Sequence, residues 1–314
     1  MTPLPGRRLA VNLPQVVGRT LAADIGRFAA RAEAHRFARL WTFDQALPGR
    51  PAGVLDGLHA LTFAAACTRH VDLAIGVIAL PQREPVLLAK ELASIDVLSQ
   101  GRLTVGVGLG LRDPGAAPAA APGRSRAAVL EEGIGVLRAL WSGATGVPRV
   151  WPLPARPGGP ALWLGGAAPP ALERAARRAD GWIGAGGARP GDFARQLRTL
   201  RAMLDRHGRD PGGFAIAKRV FVAVDDDDVA RAERRLDRAL DELYGRAGLA
   251  SACGVYGGAE HCAAQLEALF EAGAHELVLH PLFDHLDQLD ALHGVAAMTS
   301  ATSGRADSLR DVPR

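Results

Sequence analysis

Two glycine-rich runs hold the residues best suited to chemistry, Gly106-Val-Gly108-Leu-Gly110 and Gly165-Gly166-Ala167-Ala168-Pro169-Pro170. In the first, the third glycine comes one residue early for a dinucleotide-binding fingerprint, and Leu-Arg-Asp-Pro follows where a helix should open. Gly108 and Gly110 are read instead as bare backbone that lets a flat ligand approach closely. The second run follows an apolar segment and leads into a helix. Gly165, Gly166 and Ala167 can therefore present amides to a phosphate at the positive helix end. An ordinary strand-to-helix turn is the plainer alternative; the lack of any bulky side chain favours the anion.

Polar residues at the ends of other apolar runs complete the candidate set. Asp44 and Gln45 follow Arg39–Phe43. Asp44 is a ligand-facing carboxylate or a loop cap. Gln45 can hydrogen-bond a carbonyl but cannot act as a general base at neutral pH. Arg83 offers a planar fork suited to a phosphate or an acidic tail, with a solvated surface charge as the equal alternative. Trp182 and Gly184–Gly187 are expected to line the ligand mouth. His280 ends the last apolar run and is the histidine placed for proton transfer, although a structural hydrogen bond is the commoner use of a lone histidine. Asp225–Asp228 fits helix capping better than metal binding. No His or Cys cluster points to a metal.

These residues need a scaffold that brings strand ends together. Val71–Val77 is an unbroken apolar run, the mark of a parallel strand buried on both faces. Pro85 opens a helix that Ser99-Gln-Gly101 stops, and a second buried strand runs over 102–107. Strands are predicted at 7–13, 39–43, 71–77, 102–107, 161–164, 182–184, 214–224 and 276–280. Helices are predicted at 22–35, 56–68, 125–141, 170–178, 191–207, 228–244, 259–272 and 287–298, besides the one after Pro85. Eight strands alternating with helices favour an α/β fold of the (β/α)8 TIM barrel type over an open sheet. One domain is expected over 1–298, with a flexible tail over 299–314. The stretches 113–123 and 143–159 are rich in Ala, Pro and Gly and hold no regular element.

A chain of 314 residues, 48% hydrophobic, can bury one large core. The net charge of +4 comes from scattered arginines, without a nucleic-acid motif. No apolar run is long enough for a bilayer and no secretory leader is evident, so no membrane partner and a cytoplasmic location are expected. The three cysteines form neither a metal-spaced pair nor a disulfide framework.

Several segments in order carry a resemblance: Leu73-Ala-Ile-Gly-Val77, Leu80-Pro-Gln-Arg-Glu-Pro85, Leu88-Ala-Lys90, Asp96-Val-Leu-Ser-Gln-Gly-Arg-Leu103, Gly106-Val-Gly-Leu-Gly110 and Pro160–Ile183. Together with Gly254–Leu279 they are similar to the luciferase-like monooxygenase superfamily, which includes the deazaflavin (F420)-dependent oxidoreductases. The resemblance runs from about Arg7 to Leu292. It implies F420 or FMN as cofactor, and either F420-dependent hydride transfer or FMNH2- and O2-dependent monooxygenation of a small organic substrate. It also implies a bulge at Gly76-Val77, often with a cis peptide, that presses an apolar face on the flavin ring. A glycine chosen for close strand packing is the alternative at Gly76. The cofactor phosphate is implied near Gly165 and Gly166. The family often has His after the Asp of the second strand, where this chain has Gln45. The basic balance leans towards F420, whose tail is polyanionic. A separate reductase and a homodimer through outer helices are the implied protein partners. A non-catalytic flavin-binding relative of the same fold is the alternative function, motivated by Gln45 and the bland 113–123 loop.

Overall fold

In the computed structural model, residues 6–16, 22–44, 53–110, 124–146 and 148–300 are described. Gln45, the 113–123 stretch and the tail from 301 onward lie outside the described residues.

The strands are β1 (Arg8–Asn12), β2 (Arg39–Thr42), β3 (Asp72–Ala79), β4 (Leu103–Gly108), β5 (Ala161–Gly165), β6 (Gly181–Gly184), β7 (Ala215–Val224), β8 (Val255–Gly257) and β9 (Glu276–Pro281). Seven of them pair in chain order from β1 to β7. β7 then pairs with β9, and β9 with β1, so eight parallel strands close into a ring. This is the (β/α)8 barrel. Two elements went unforeseen: a five-residue helix over Leu249–Cys253, and the three-residue β8, which extends the far end of β7 through Val222–Val255 and Val224–Gly257, outside the ring. Both are too short to show a pattern in the sequence.

The helices are α1 (Ala22–Ala34), α2 (Gly57–Cys67), α3 (Pro85–Leu98), α4 (Arg126–Trp141), α5 (Pro169–Arg178), α6 (Pro190–Arg206), α7 (Val229–Tyr244), α8 (Leu249–Cys253), α9 (Ala259–Glu271) and α10 (His285–Ala297). Local chemistry sets their starts. The Asp56, Glu84, Ser125 and Asp228 side chains each accept a backbone N–H in the first turn of α2, α3, α4 and α7. α7 is plainly one-sided, burying Ala232, Leu236, Ala239, Leu240 and Leu243. α3 differs: it buries Leu88, Ala89, Leu92, Ala93 and Ile95 yet leaves Leu87 and Leu98 exposed.

The N-terminal end of the ring is plugged by charge. Buried Arg39 places both bonds of one nitrogen on Glu276 at 2.8 and 3.0 Å, and the Trp41 indole N–H donates to the same carboxylate at 2.8 Å. Arg8 and Arg39 share Asp72 at 3.0 and 3.4 Å. The Arg39 guanidinium also lies 5.2 Å from the Trp163 ring centre. Arg102 clamps the end of α2 through the carbonyls of Ala65, Thr68, Val71 and Ser99, and Asp96 accepts the Ala155 amide at 2.9 Å. Both residues serve the scaffold. The open end of the barrel is therefore the C-terminal one, where (β/α)8 enzymes work.

Candidate active site

Inside the ring, Ala10, Trp41, Ala74, Trp163, Ile183, Ala217 and Val278 form one buried cluster. Side-chain alternation then places Asn12, Phe43, Arg219 and His280 in the next layer up, at the mouth.

β3 carries an extra residue here. Its register to β4 jumps from Ile75–Val105 to Ile78–Val107, and the Gly76–Val77 peptide is cis. The bulge that the resemblance implies is present. It turns the Val77 side chain against three glycines. A Cβ on Gly165 would lie 2.7 Å from Val77 Cγ1, one on Gly108 2.9 Å from Val77 Cγ2, and one on Gly106 3.5 Å from Val77 Cγ1. Gly76 is equally constrained, since its Cβ would fall 2.5 Å from Trp41 Cζ3. This corrects the reading of Gly108 as backbone laid bare for a ligand: its missing side chain makes room for Val77, which supplies the apolar surface. Gly110, at φ +72°, lies where a Cβ would meet Ala79 at 2.7 Å, and its carbonyl accepts from Arg126 at 2.9 Å. It serves the turn out of β4.

Arg219 went unnoticed in the sequence. In the ring β7 stands opposite β3, and the Arg219 side chain reaches across the bore to donate from Nη2 to the Gly76 carbonyl. Its guanidinium lies 5.7 Å from the Phe43 ring centre, and its charge acts on the neighbouring Tyr244 hydroxyl. Arg219 and Val77 thus meet the floor of the mouth from opposite sides. The one available signal was the Lys218-Arg219 pair within an otherwise apolar ten-residue strand.

His280 sits where the sequence placed it, at the exit of β9. It is buried, its ring centre 5.5 Å from Phe43 and 5.8 Å from Phe221, and its Nδ1 has no hydrogen-bond partner. Burial, with the charges of Arg219 and His285 added, holds its pKa well below the usual imidazole value. It is a neutral imidazole. Asn12, one position beyond the registered pair Val11–Leu279, is buried with its Oδ1 unpartnered.

Asp44 and Arg83 come together, but on each other. The Asp44 side chain, 1% exposed, accepts from Arg83 Nη2 at 2.6 Å and from the Ala79 amide at 3.3 Å. Arg83 also reaches Asp56, the α2 cap, at 3.0 Å. Burial would push the Asp56 carboxyl up, yet hydrogen bonds from His59 and Arg83 outweigh it and bring the pKa down to about 2. Arg83 is therefore engaged by two carboxylates rather than poised for a phosphate. Asp44 ties the β2 exit to the bulged strand and is no free proton carrier.

Gly165, Gly166 and Ala167 lead from β5 into α5, with Gly166 and Ala167 exposed. Pro169 and Pro170 open α5 and carry no N–H, so donors for an anion come from Gly166 to Ala168 rather than from the helix itself. Trp182 is corrected outright. Ile183 faces the bore, and Trp182 faces outward, fully buried and stacked on Phe193 of α6 at 5.7 Å. Its indole donates to the Gly166 carbonyl at 2.8 Å, so it holds the loop without lining the mouth. Behind the β6–α6 turn, buried Lys218 donates to the carbonyls of Ala185, Arg219 and Gly186 at 2.6, 2.8 and 3.3 Å. Burial lowers its pKa to about 8, with Cys253 opposing and Arg219 adding to the shift.

A cleft of about 560 Å³ also opens on this face, lined by Asp24, Arg235, Arg238, Phe283, Asp284 and His285 among others. Its Arg235 is committed to Asp284 at 2.7 Å and to the Phe283 ring at 4.1 Å. Asn12 Oδ1, Arg219 Nε and His280 Nδ1, each buried and unpartnered among the described residues, lie in the mouth, where a ligand can satisfy them.

The family model for luciferase-like monooxygenases matches residues 10–252. The chain belongs to the luciferase-like monooxygenase family. An uncharacterized Mycobacterium tuberculosis protein is 33% identical over 153 residues, which is 45% of this chain and 54% of that protein, so the chain spans about half the length of such curated relatives. Among solved structures, an F420-dependent secondary alcohol dehydrogenase in complex with an F420-acetone adduct matches with TM-score 0.77 at 18% identity, over 94% of this chain and 99% of that one. The monooxygenase RslO1 from Streptomyces bottropensis matches with TM-score 0.77 at 21% identity, over 93% and 98%. At these identities the likeness is one of fold. As a family member the chain presents residues that fit a flat cofactor with an anionic arm. Val77 is apolar and half-exposed, Asn12 and His280 hold unpartnered polar atoms, and the Gly166–Ala168 amides can take the arm.

Proposed function

We propose that this luciferase-like protein is an oxidoreductase dependent on F420 or FMN, F420 being favoured, that acts on a small organic substrate. The observation that carries the proposal is the bulge at Gly76-Val77, which lays an apolar side chain on the floor of a mouth whose walls keep unpartnered polar atoms. The F420 and FMN complexes among solved structures of the same fold support it.

Val77 would support the flat ring, and the amides of Gly166, Ala167 and Ala168 would take the phosphate. When bound, such a cofactor supplies hydride transfer or, as reduced FMN with O2, oxygen transfer. His280, neutral, can donate or accept one hydrogen bond at Nδ1 and so orient a substrate oxygen. Asn12 offers a second such contact through Oδ1. The Asp44–Arg83–Asp56 clasp fixes the strand exits around the ring without touching it.

The exposed Phe63, Leu87 and Leu98 on α2 and α3 support pairing of two copies through these helices. A reductase that delivers reduced cofactor is the further partner if FMN is used. We place the protein in the cytoplasm. The test is anaerobic oxidation of F420H2 and of FMNH2, the latter also with O2, against a panel of carbonyl and alkene compounds. Sustained cofactor oxidation that tracks substrate supports the enzyme. Tight cofactor binding with no turnover on any compound would make the protein a binding relative instead.

A further inference from the structure

Among the described residues, the guanidinium that crosses the mouth is a cation without a counter-ion. Among the described residues, no carboxylate lies within ion-pair distance of Arg219. Its acceptor among the described residues is the Gly76 carbonyl, and its face rests on Phe43. Two other arginines of the barrel are each paired with two carboxylates: Arg39 has Glu276 and Asp72, and Arg83 has Asp44 and Asp56. Arg219 Nε is buried with no acceptor, and the neighbouring His280 Nδ1 is unpartnered as well. One fixed positive charge with a free Nε–H and a neutral imidazole with a free Nδ1 stand together in the mouth, on β7 and β9.

We propose that Arg219 is a specificity-determining residue and that the mouth selects substrates bearing a carboxylate, whose two oxygens take the free guanidinium N–H and the His280 edge. A carboxylate matches the planar fork of a guanidinium, and charge-assisted bonds in a partly buried site are about twice as strong as neutral ones. An amide or alcohol of the same shape satisfies the geometry but leaves the cation uncompensated. The inference rests on the mouth being the substrate site. It does not depend on which cofactor is used.

The test is calorimetric titration of benzoate and phenylacetate against benzamide and phenylacetamide, at low salt, into the full chain with and without F420. The expected result is a preference for each carboxylate of roughly tenfold or more over its amide. Arg219→Met should erase that preference, and Arg219→Lys should restore part of it. In Arg219→Met the His280 imidazole, followed by NMR, should also titrate closer to the ordinary histidine range. Of the charges acting on it, only His285 then remains. Should Arg219→Met fail to fold, the wild-type preference is followed from pH 6 to pH 9, where a guanidinium stays charged and the preference should hold. Amides that bind as well as carboxylates, carboxylates that fail to bind below about 10 mM, or a preference that survives in Arg219→Met would each overturn the proposal. Carboxylate selectivity without F420 or FMN binding would leave it standing and remove the cofactor reading instead.

Discussion

Gly165→Ala is the sharpest probe of the mouth's floor. The new methyl would lie 2.7 Å from Val77 Cγ1, roughly 0.7 Å inside ordinary contact. Val77 has little room to swing away, because Gly108 packs against its second side, where even an added Cβ would lie only 2.9 Å from Val77 Cγ2. Forcing a methyl into so tight a site costs on the order of 1–3 kcal/mol. Val77→Ala alone removes two methyl groups from a half-buried position and should cost about 1–2 kcal/mol. The double variant removes the clash, so its loss should fall short of the sum of the two by about 1–2 kcal/mol. Urea unfolding of the four proteins measures this coupling. Titration of F420 into the same set should show binding weakened in Gly165→Ala by displacement of Val77 and recovered in part in the double variant. Strict additivity, or a Gly165→Ala protein as stable as wild type, would mean that Val77 does not occupy the space between Gly108 and Gly165.

Asp56→Asn should lower stability at pH 7. Because the folded carboxyl has its pKa down at about 2, the Asp56 contribution is present above the ordinary carboxylate range and lost as pH falls towards 2, so variant and wild type should converge there in pH-dependent unfolding. Lys218 gives the opposite window. The unfolded chain keeps its proton up to the ordinary lysine range while the folded chain sheds it near pH 8, so stability should rise between about pH 8 and 10.5, by on the order of 3 kcal/mol, and Lys218→Met should flatten that rise. On the outer surface, Leu87→Glu combined with Leu98→Glu should convert a dimer to monomers in light scattering; a wild-type monomer at micromolar concentration would refute pairing through α3.

Much of this was legible before the structure. Parallel strands buried on both faces show as unbroken apolar runs, and the Asp225–Asp228 run marked a helix start by its capping chemistry. The same double burial hid the side-chain facing. In Gly181–Gly184 nothing in the sequence tells that Ile183 points inward and Trp182 outward, because both faces are apolar. Gly106, Gly108 and Gly165 stood out, but the reason for Gly108 and Gly165 is Val77, which turns inward only through a one-residue register shift, and Gly106 makes room for the Ile75 carbonyl of the same bulged strand. Arg219 reaches Gly76 from 143 positions away, a contact that depends on closure of the ring. Asp44 and Arg83 were both singled out, and their mutual pairing was invisible because α2 and its cap intervene.

The account stands on a mouth built for a flat redox cofactor. Equilibrium titration of purified wild-type protein with F420 and, separately, with FMN tests it directly by fluorescence quenching under anaerobic conditions. Saturable binding of at least one at micromolar concentration, weakened by Gly165→Ala, is the predicted result. Failure of both to bind below about 1 mM would contradict it.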